Sequence, residues 1–461
     1  MSIPAHIFKS YDIRGIVPDE INKENIYGIA QAVLGYIQRK LGKTNITIAV
    51  GKDMRLSAPT LYPIFKKALV DGGATIIDNG LVSTPTFYFS VLHLRTDAGI
   101  QLTASHNPPQ YSGMKMVIRD GDGLVKIGKG TGMDEIQKSA LEGIVIKEKG
   151  GSEKKHEGIM DEEIKYACEL VSMDGIKALK VVADPANAMG ITYIDALFKK
   201  LPCELVKMNF ELDGTFPSHE PNPLVFENLR DLQKKVIEEK ADLGIAPDGD
   251  GDRMFFIDEK GQIIQASYIT AIVSRELLRR FPGEKILFDI RYIMTPKKII
   301  EELGGSWDIT KVGHAFITQK IHETNALFGG ESSAHYFFRY TGGAESQLLM
   351  ILLILKIMSK SGKKLSELVE EVKRSSESGE INFVTDNAQD ILNVLKETYH
   401  DAEISMLDGI SIEYPDWRCN VRTSNTEPLL RLNLEAINDV AVKKRVKEVT
   451  SLILKQGARI H

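Results

Sequence analysis

The sequence predicts an α/β chain: three related βαβ-type domains with parallel or mixed sheets, followed by a smaller C-terminal α+β domain. Two observations carry this. An apolar run that ends at an aspartate, then a helical stretch, then a second apolar run occurs three times in order. The last part of the chain abandons that alternation.

The first unit has Ile46 to Val50, ending in Gly51-Lys-Asp53, then a helix from Ala58 to Asp71 and a strand from Ala74 to Asp78. The second has Leu179 to Ala183 running into Asp184-Pro-Ala-Asn187, a helix through Leu197 and a strand from Cys203 to Met208. The third has Lys285 to Phe288 running into Asp289, a helix through Leu303 and a short extended piece before Lys311. Parallel units of this kind bind ligands at the carboxyl ends of their strands. Polar, glycine-containing stretches at Lys147 to Lys155 and Arg374 to Gly379 read as linkers. The expected domains are therefore 1–150, 151–255, 256–373 and 374–461. In the last, a strand at Ile381 to Thr385 precedes a helix at Ala388 to Tyr399. Strands at Ile410 to Tyr414, Trp417 to Val421 and Leu429 to Glu435 follow, and the closing helix has Val442, Val446, Val449 and Ile453 on one face.

With 461 residues the chain exceeds a single hydrophobic core. A net charge of −5 argues against nucleic acid or a membrane surface as the main partner. Cys168, Cys203 and Cys419 are odd in number and show no CxxC spacing, which speaks against a disulfide framework or zinc site and fits the cytoplasm. The N-terminus lacks a signal-like apolar segment, and the longest apolar run, Leu348 to Leu355, reads as a buried helix.

Four stretches carry chemistry. Thr103-Ala-Ser-His-Asn-Pro-Pro109 follows a strand-like run, Ala98 to Leu102, and breaks where neither helix nor central strand can continue. It places Ser105 on a stiff, exposed loop beside His106, with the Lys115 cation nearby, which suits a nucleophilic hydroxyl and an anionic reactant. Asp248-Gly-Asp250-Gly-Asp252-Arg253 offers three carboxylates at alternate positions on a glycine-loosened loop, as a hard cation requires. An EF-hand is opposed by Arg253 at the position that needs glycine and by the strand-like run before the loop. Glu331, Ser333 and His335 alternate on a segment that reads as extended, which points them to one side and suits recognition of neighbouring hydroxyls such as a sugar's. Arg422-Thr-Ser424-Asn425-Thr426 provides hydroxyls, backbone amides and an arginine fork for a phosphate.

Together these stretches resemble the α-D-phosphohexomutases, in particular the phosphomannomutase/phosphoglucomutase branch, over nearly the whole chain. The resemblance implies four domains around a central cleft and a phosphoryl group carried on Ser105. It further implies Mg²⁺ held by Asp248, Asp250 and Asp252 with the Ser105 oxygen, a sugar loop of Glu331, Ser333 and His335, and a phosphate loop of Arg422, Ser424, Asn425 and Thr426. Tyr11 and Arg14 match the family's N-terminal motif, Arg253 ends the metal motif, and Lys311 and His314 resemble a further substrate loop. Ser332 and Ala334 depart from the commonest sugar loop and should point away. Arg291 stands where relatives often have lysine, which leaves Lys115 or His106 for acid/base work.

The implied activity is interconversion of hexose 1-phosphate and hexose 6-phosphate, of mannose or glucose, through a reorienting hexose 1,6-bisphosphate. Phosphoglucosamine mutase, a phosphoserine-dependent phosphatase and a non-catalytic sugar-phosphate binder are the alternatives. The expected partners are small sugar phosphates, and the expected state is a monomer or small homo-oligomer.

Overall fold

A computed structural model describes residues 3–144, 146, 150–424 and 429–461. Among them the strands form four sheets.

The first contains β1 (Ile13–Ile16), β2 (Thr47–Lys52), β3 (Thr75–Leu81), β4 (Ala98–Leu102), β5 (Tyr111–Asp120), β6 (Gly123–Lys126) and β7 (Ser152–Lys155). Helices α1 (Ile26–Leu41), α2 (Ala58–Asp71), α3 (Thr84–His93) and α4 (Met133–Leu141) lie between them. The order is β1-β5-β4-β2-β3-β7, with β6 beside β5. After α5 (Ile159–Leu170), the second sheet has β8 (Lys180–Ala183), β9 (Glu204–Lys207), β10 (Leu243–Pro247), β11 (Met254–Asp258) and β12 (Ile263–Ile264), with α6 (Gly190–Phe198) and α7 (Arg230–Glu238). Its order is β12-β11-β10-β8-β9. The third follows α8 (Ala266–Arg280) and comprises β13 (Lys285–Asp289), β14 (Ser306–Thr310), β15 (Phe328–Gly330) and β16 (Tyr336–Phe338) in the order β14-β13-β15-β16. Helices α9 (Met294–Glu302) and α10 (His314–Thr324) connect its strands, and α11 (Gln347–Ser361) and α12 (Leu365–Val372) close it.

The runs β5-β4-β2-β3, β11-β10-β8-β9 and β16-β15-β13-β14 share one pattern of three parallel strands and an antiparallel fourth. Each predicted βαβ unit is the central strand, its helix and the parallel strand that follows it. The consequence is functional: residues 103–110, 248–253 and 331–335 are the same connection, between third and fourth strand, in three copies.

The fourth sheet is antiparallel throughout and holds β17 (Ser376–Val384), β18 (Glu403–Ser405), β19 (Ile410–Glu413), β20 (Trp417–Thr423), β21 (Leu429–Ala436) and β22 (Arg459–Ile460). Helices α13 (Ala388–Thr398) and α14 (Asp439–Lys455) cover it, α14 burying Val442, Val449 and Ile453 at about 1.5 to 3 kcal/mol each. A continuous apolar core joins the second and third sheets, whereas the first and fourth have cores of their own. The predicted buried helix is α11, whose Leu348 to Leu355 run is fully enclosed. No helix of the described residues is long and apolar enough to cross a membrane.

Several boundaries differ from expectation. Ser152–Lys155 pairs with β3 and extends the first sheet past residue 150; its four exposed polar side chains carry no strand alternation. The division expected after residue 255 cuts β11, and β12 carries the second sheet to Ile264. The stretch read as a linker after Arg374 already contains the start of β17, which pairs Ser376 with Ala436.

Candidate active site

The three equivalent connections converge. Ser105 is 1% exposed, not on an open loop as expected, because the second domain closes over it: a Cβ on Gly249 would lie 2.4 Å from the Ser105 carbonyl. The Ser105 hydroxyl donates to Asp248 Oδ2 at 3.1 Å and lies 3.3 Å from His106 Nδ1. The backbone at Ser105 is left-handed, with φ +50°.

Asp248, Asp250 and Asp252 are buried, and one oxygen of each falls within 4.8 Å of the others. Asp248 Oδ1 accepts from the amides of Asp252 (3.1 Å) and Arg253 (3.2 Å), which curls the loop about that carboxylate. Burial, with Asp252 and Asp250 alongside, pushes the Asp248 carboxyl upward. Lys115 Nζ bridges Asp250 Oδ2 (2.6 Å) and Asp252 Oδ2 (2.5 Å). Burial opposes that ammonium, but the two carboxylates outweigh it and raise Lys115 well above its ordinary value, so it is held as a cation. His106 goes the other way: burial, then Arg253 and Arg14, hold its imidazole neutral. Of the two acid/base candidates, only His106 is a ready proton acceptor. Arg14 is paired with Asp12 at 2.7 Å and donates to Asn107 Oδ1 and, at 3.4 Å, to the Ala104 carbonyl.

Glu331, Ser333 and His335 come together, but on a tight turn between β15 and β16 and not on the extended segment expected. Glu331 N bonds the His335 carbonyl, and Ala334, at φ +64°, closes the turn. Ser333 Oγ lies 2.9 Å from His335 Nδ1, which is 3.1 Å from Glu331 Oε2, while His335 Nε2 faces Asp252 Oδ1 at 3.3 Å. Burial opposes charge on His335, yet Asp252 and Glu331 raise it to about 9. Ala334 is buried. Ser332 is not turned idle: its amide and hydroxyl donate to Asp289. Arg291 is locked on Asp289 by two bonds of 3.0 and 2.8 Å and cannot act as a base.

Tyr11 donates to the Val312 carbonyl at 2.9 Å and its ring lies 5.4 Å from His314, so the first domain meets the 311–314 loop of the third. Lys311 is exposed, with Nζ 5.9 Å above the Phe316 ring. In the last domain Arg422 bonds Glu380 at 3.0 Å, and burial together with neighbouring Arg291 lowers its pKa. Ser424 N bonds the Leu429 carbonyl at 2.7 Å. Asn425 and Thr426 lie outside the described residues.

Descriptions of known families match this chain domain by domain. The Phosphoglucomutase/phosphomannomutase alpha/beta/alpha domain I covers residues 5–138, domain II 161–261, domain III 265–375 and the C-terminal domain 380–452. The chain belongs to the phosphoglucomutase/phosphomannomutase family. It is 36% identical over 457 residues to a phosphomannomutase of Salmonella montevideo, covering 97% of this chain and 98% of that one. A phosphomannomutase of Methanocaldococcus jannaschii is 35% identical over 458 residues, covering 98% and 99%. The solved structure of a phosphoglucomutase/phosphomannomutase family protein from Burkholderia thailandensis aligns at a TM-score of 0.89 and 30% identity, over 99% of each chain. As a member of the phosphoglucomutase/phosphomannomutase family, this chain is a phosphomutase enzyme.

The acidic loop of this family member fits a cation. Asp250 Oδ1 is buried and finds no hydrogen-bond partner among the described residues, and a multivalent ion would complete it. Arg253 Nη1 is likewise buried without a partner among them, while Arg253 Nε lies 3.7 Å from Asp248 Oδ2, and the unpaired N–H can serve an anion.

Two residues escape a sequence reading. Thr84 donates its hydroxyl to Asp250 and its amide to the Asp250 carbonyl at 2.9 Å, so the start of α3 positions the acidic loop. Arg55 grips the serine turn; the available signal was its place in Asp53-Met-Arg55, which repeats as Asp289-Ile-Arg291.

Proposed function

We propose that the enzyme interconverts hexose 1-phosphate and hexose 6-phosphate, of mannose or glucose, by passing a phosphoryl group through Ser105. The observation that carries this reading is the buried Ser105 hydroxyl 3.1 Å from Asp248, within the acidic cluster and beside a neutral His106.

Phosphorylated Ser105 gives its phosphoryl group to the free hydroxyl of the bound monophosphate. The Ser105 Oγ–P bond breaks, a sugar O–P bond forms, and His106 is placed to take the hydroxyl proton. The resulting hexose 1,6-bisphosphate turns end for end, and its other phosphate returns to Ser105. Asp248, Asp250 and Asp252, with an oxygen on Ser105, would hold Mg²⁺. When bound, the ion offsets charge on the transferring phosphoryl group. Arg14 and Arg253 flank the same phosphate, and Lys115 keeps the acidic loop in register with β5.

Glu331, Ser333 and His335 would grip sugar hydroxyls in both orientations. Arg422 with Ser424, Asn425 and Thr426 would hold the phosphate that is not reacting. The last domain has its own core and meets the third through polar contacts, such as Arg418 to the carbonyls of Ile290 and Arg291. Its closure over the cleft would exclude water and so prevent hydrolysis. We place the enzyme in the cytoplasm, where three free cysteines fit reducing conditions.

A coupled assay of mannose, glucose and glucosamine 1-phosphates, with magnesium and a trace of hexose 1,6-bisphosphate, tests the reading on wild type and Ser105→Ala. Turnover of mannose or glucose 1-phosphate that collapses in the variant supports it. Turnover confined to glucosamine 1-phosphate changes the substrate, and release of inorganic phosphate faster than isomerisation makes the enzyme a phosphatase.

A further inference from the structure

Arg55 lies three residues past the end of β2, the central strand of the first sheet, and is 1% exposed. Its Nη2 donates to the carbonyls of Ser105 (2.7 Å) and Asn107 (2.6 Å), and its Nη1 to those of Pro108 (2.8 Å) and Tyr111 (3.0 Å). Asp53 pairs with its Nε at 3.2 Å, and the Phe216 ring of the second domain covers the guanidinium at 5.6 Å. One planar fork with fixed N–H directions thus sets four carbonyls of a single turn relative to one another.

The turn needs such a brace. Ser105 occupies a left-handed backbone conformation that a non-glycine residue holds only when its surroundings over-determine it. Its amide is tied to Thr103 Oγ1 at 3.0 Å, and its carbonyl is enclosed between Arg55 and the Gly249 backbone. The direction of the Ser105 side chain therefore follows from where Arg55 holds that carbonyl. The third sheet repeats the device. Arg291, which like Arg55 stands two residues after an aspartate, pairs with Asp289 and reaches Ser333 Oγ at 3.3 Å in the equivalent turn. The second sheet has Ala186 at this place, and His219 pairs with Asp184 at 3.1 Å instead.

We propose that Arg55 is the positioning residue for the phosphoryl-carrying serine: its fork holds the strained turn so that Ser105 Oγ stays aimed at Asp248. The proposal rests on the assignment of Ser105 as phosphoryl carrier.

Arg55→Lys keeps a charge beside Asp53 but loses the fork, and Arg55→Met fills the volume without either. Three quantities are measured: the rate of Ser105 phosphorylation by hexose 1,6-bisphosphate from intact mass, the Kd for hexose monophosphate, and hydrogen exchange across residues 104–111. The expected result is a fall of about 100-fold in phosphorylation rate, an unchanged Kd and faster exchange confined to the turn. Where an Arg55 variant does not fold, Asp53→Asn leaves the guanidinium buried without its counter-ion and is read the same way. Phosphorylation at the wild-type rate overturns the proposal, as does a loss in which monophosphate binding and protection of the whole first sheet change together. Wild-type protein that leaves Ser105 unmodified overturns the functional reading itself, a result separate from any behaviour of the variants.

Discussion

Ser105 and Asp248 lie 143 residues apart in the chain, on different sheets, and meet through a 3.1 Å hydrogen bond. They occupy the same connection of two copies of one strand pattern. That is why a hydroxyl of the first domain and a carboxylate of the second can share a centre: each sheet presents its third connection to the common cleft.

Asp250 carries an oxygen with no partner among the described residues while its other oxygen binds Lys115 and Thr84. Asp250→Ala removes a cation ligand and one of the two carboxylates that hold Lys115. Magnesium binding by calorimetry should weaken by at least about tenfold, with turnover lost in parallel. Unchanged magnesium affinity would remove Asp250 from the ligand set.

Arg422 is buried on β20 and pairs with Glu380 at 3.0 Å. Loss of a charge-assisted bond to a phosphate weakens binding by roughly 10- to 100-fold. Arg422→Ala should therefore raise the KM for hexose monophosphate by that factor while Ser105 still accepts phosphoryl from the bisphosphate. A KM equal to wild type would separate this arginine from the phosphate.

Lys126 and Glu345 form a buried pair at 2.6 Å that ties the first sheet to the third domain. Burial lowers the pKa of Lys126 and raises that of Glu345, so desolvation outweighs their attraction on both sides. Lys126→Met alone strands Glu345 and should cost on the order of 3 to 5 kcal/mol in urea unfolding. Lys126→Met with Glu345→Leu should cost less than that single change. A double variant as unstable as the sum of its singles would contradict this balance.

Glu163, on α5, is buried against α3, and one of its oxygens has no hydrogen-bond partner among the described residues. Burial raises its pKa to about 7, against a partial opposing effect from the Thr86 hydroxyl. The folded state therefore holds this proton more tightly than the unfolded chain. Stability from this group is fully present below the unfolded pKa near 4.5 and is lost as pH rises through about 7. Thermal unfolding should show a decline across that window worth roughly 3 kcal/mol, which Glu163→Gln abolishes. The same slope in the variant would assign it to another group.

Much of the architecture was readable because its signals are local. An apolar strand punctuated by aspartate and followed by a helix identifies Thr47–Lys52, Lys180–Ala183 and Lys285–Asp289 without any tertiary knowledge. The edges were not readable, since Ser152–Lys155 is a strand of exposed polar residues defined by its pairing with β3. At the site, residue types and spacing indicated the serine turn and the carboxylate triad. The burial of Ser105 depends on closure by Gly249 from another domain, and the turn at Glu331 to His335 depends on a left-handed Ala334 that alternation alone cannot show. Arg55 was hidden for the same reason: its four acceptors lie 50 or more residues away.

The most direct test of the account follows a labelled phosphoryl group. Protein carrying isotopically labelled phosphate on Ser105 is mixed with unlabelled mannose or glucose 1-phosphate for a single turnover. Label is expected in the hexose 6-phosphate product, with an unlabelled phosphate left on Ser105. Isomerisation with the label still on the protein, or released as inorganic phosphate, would contradict it.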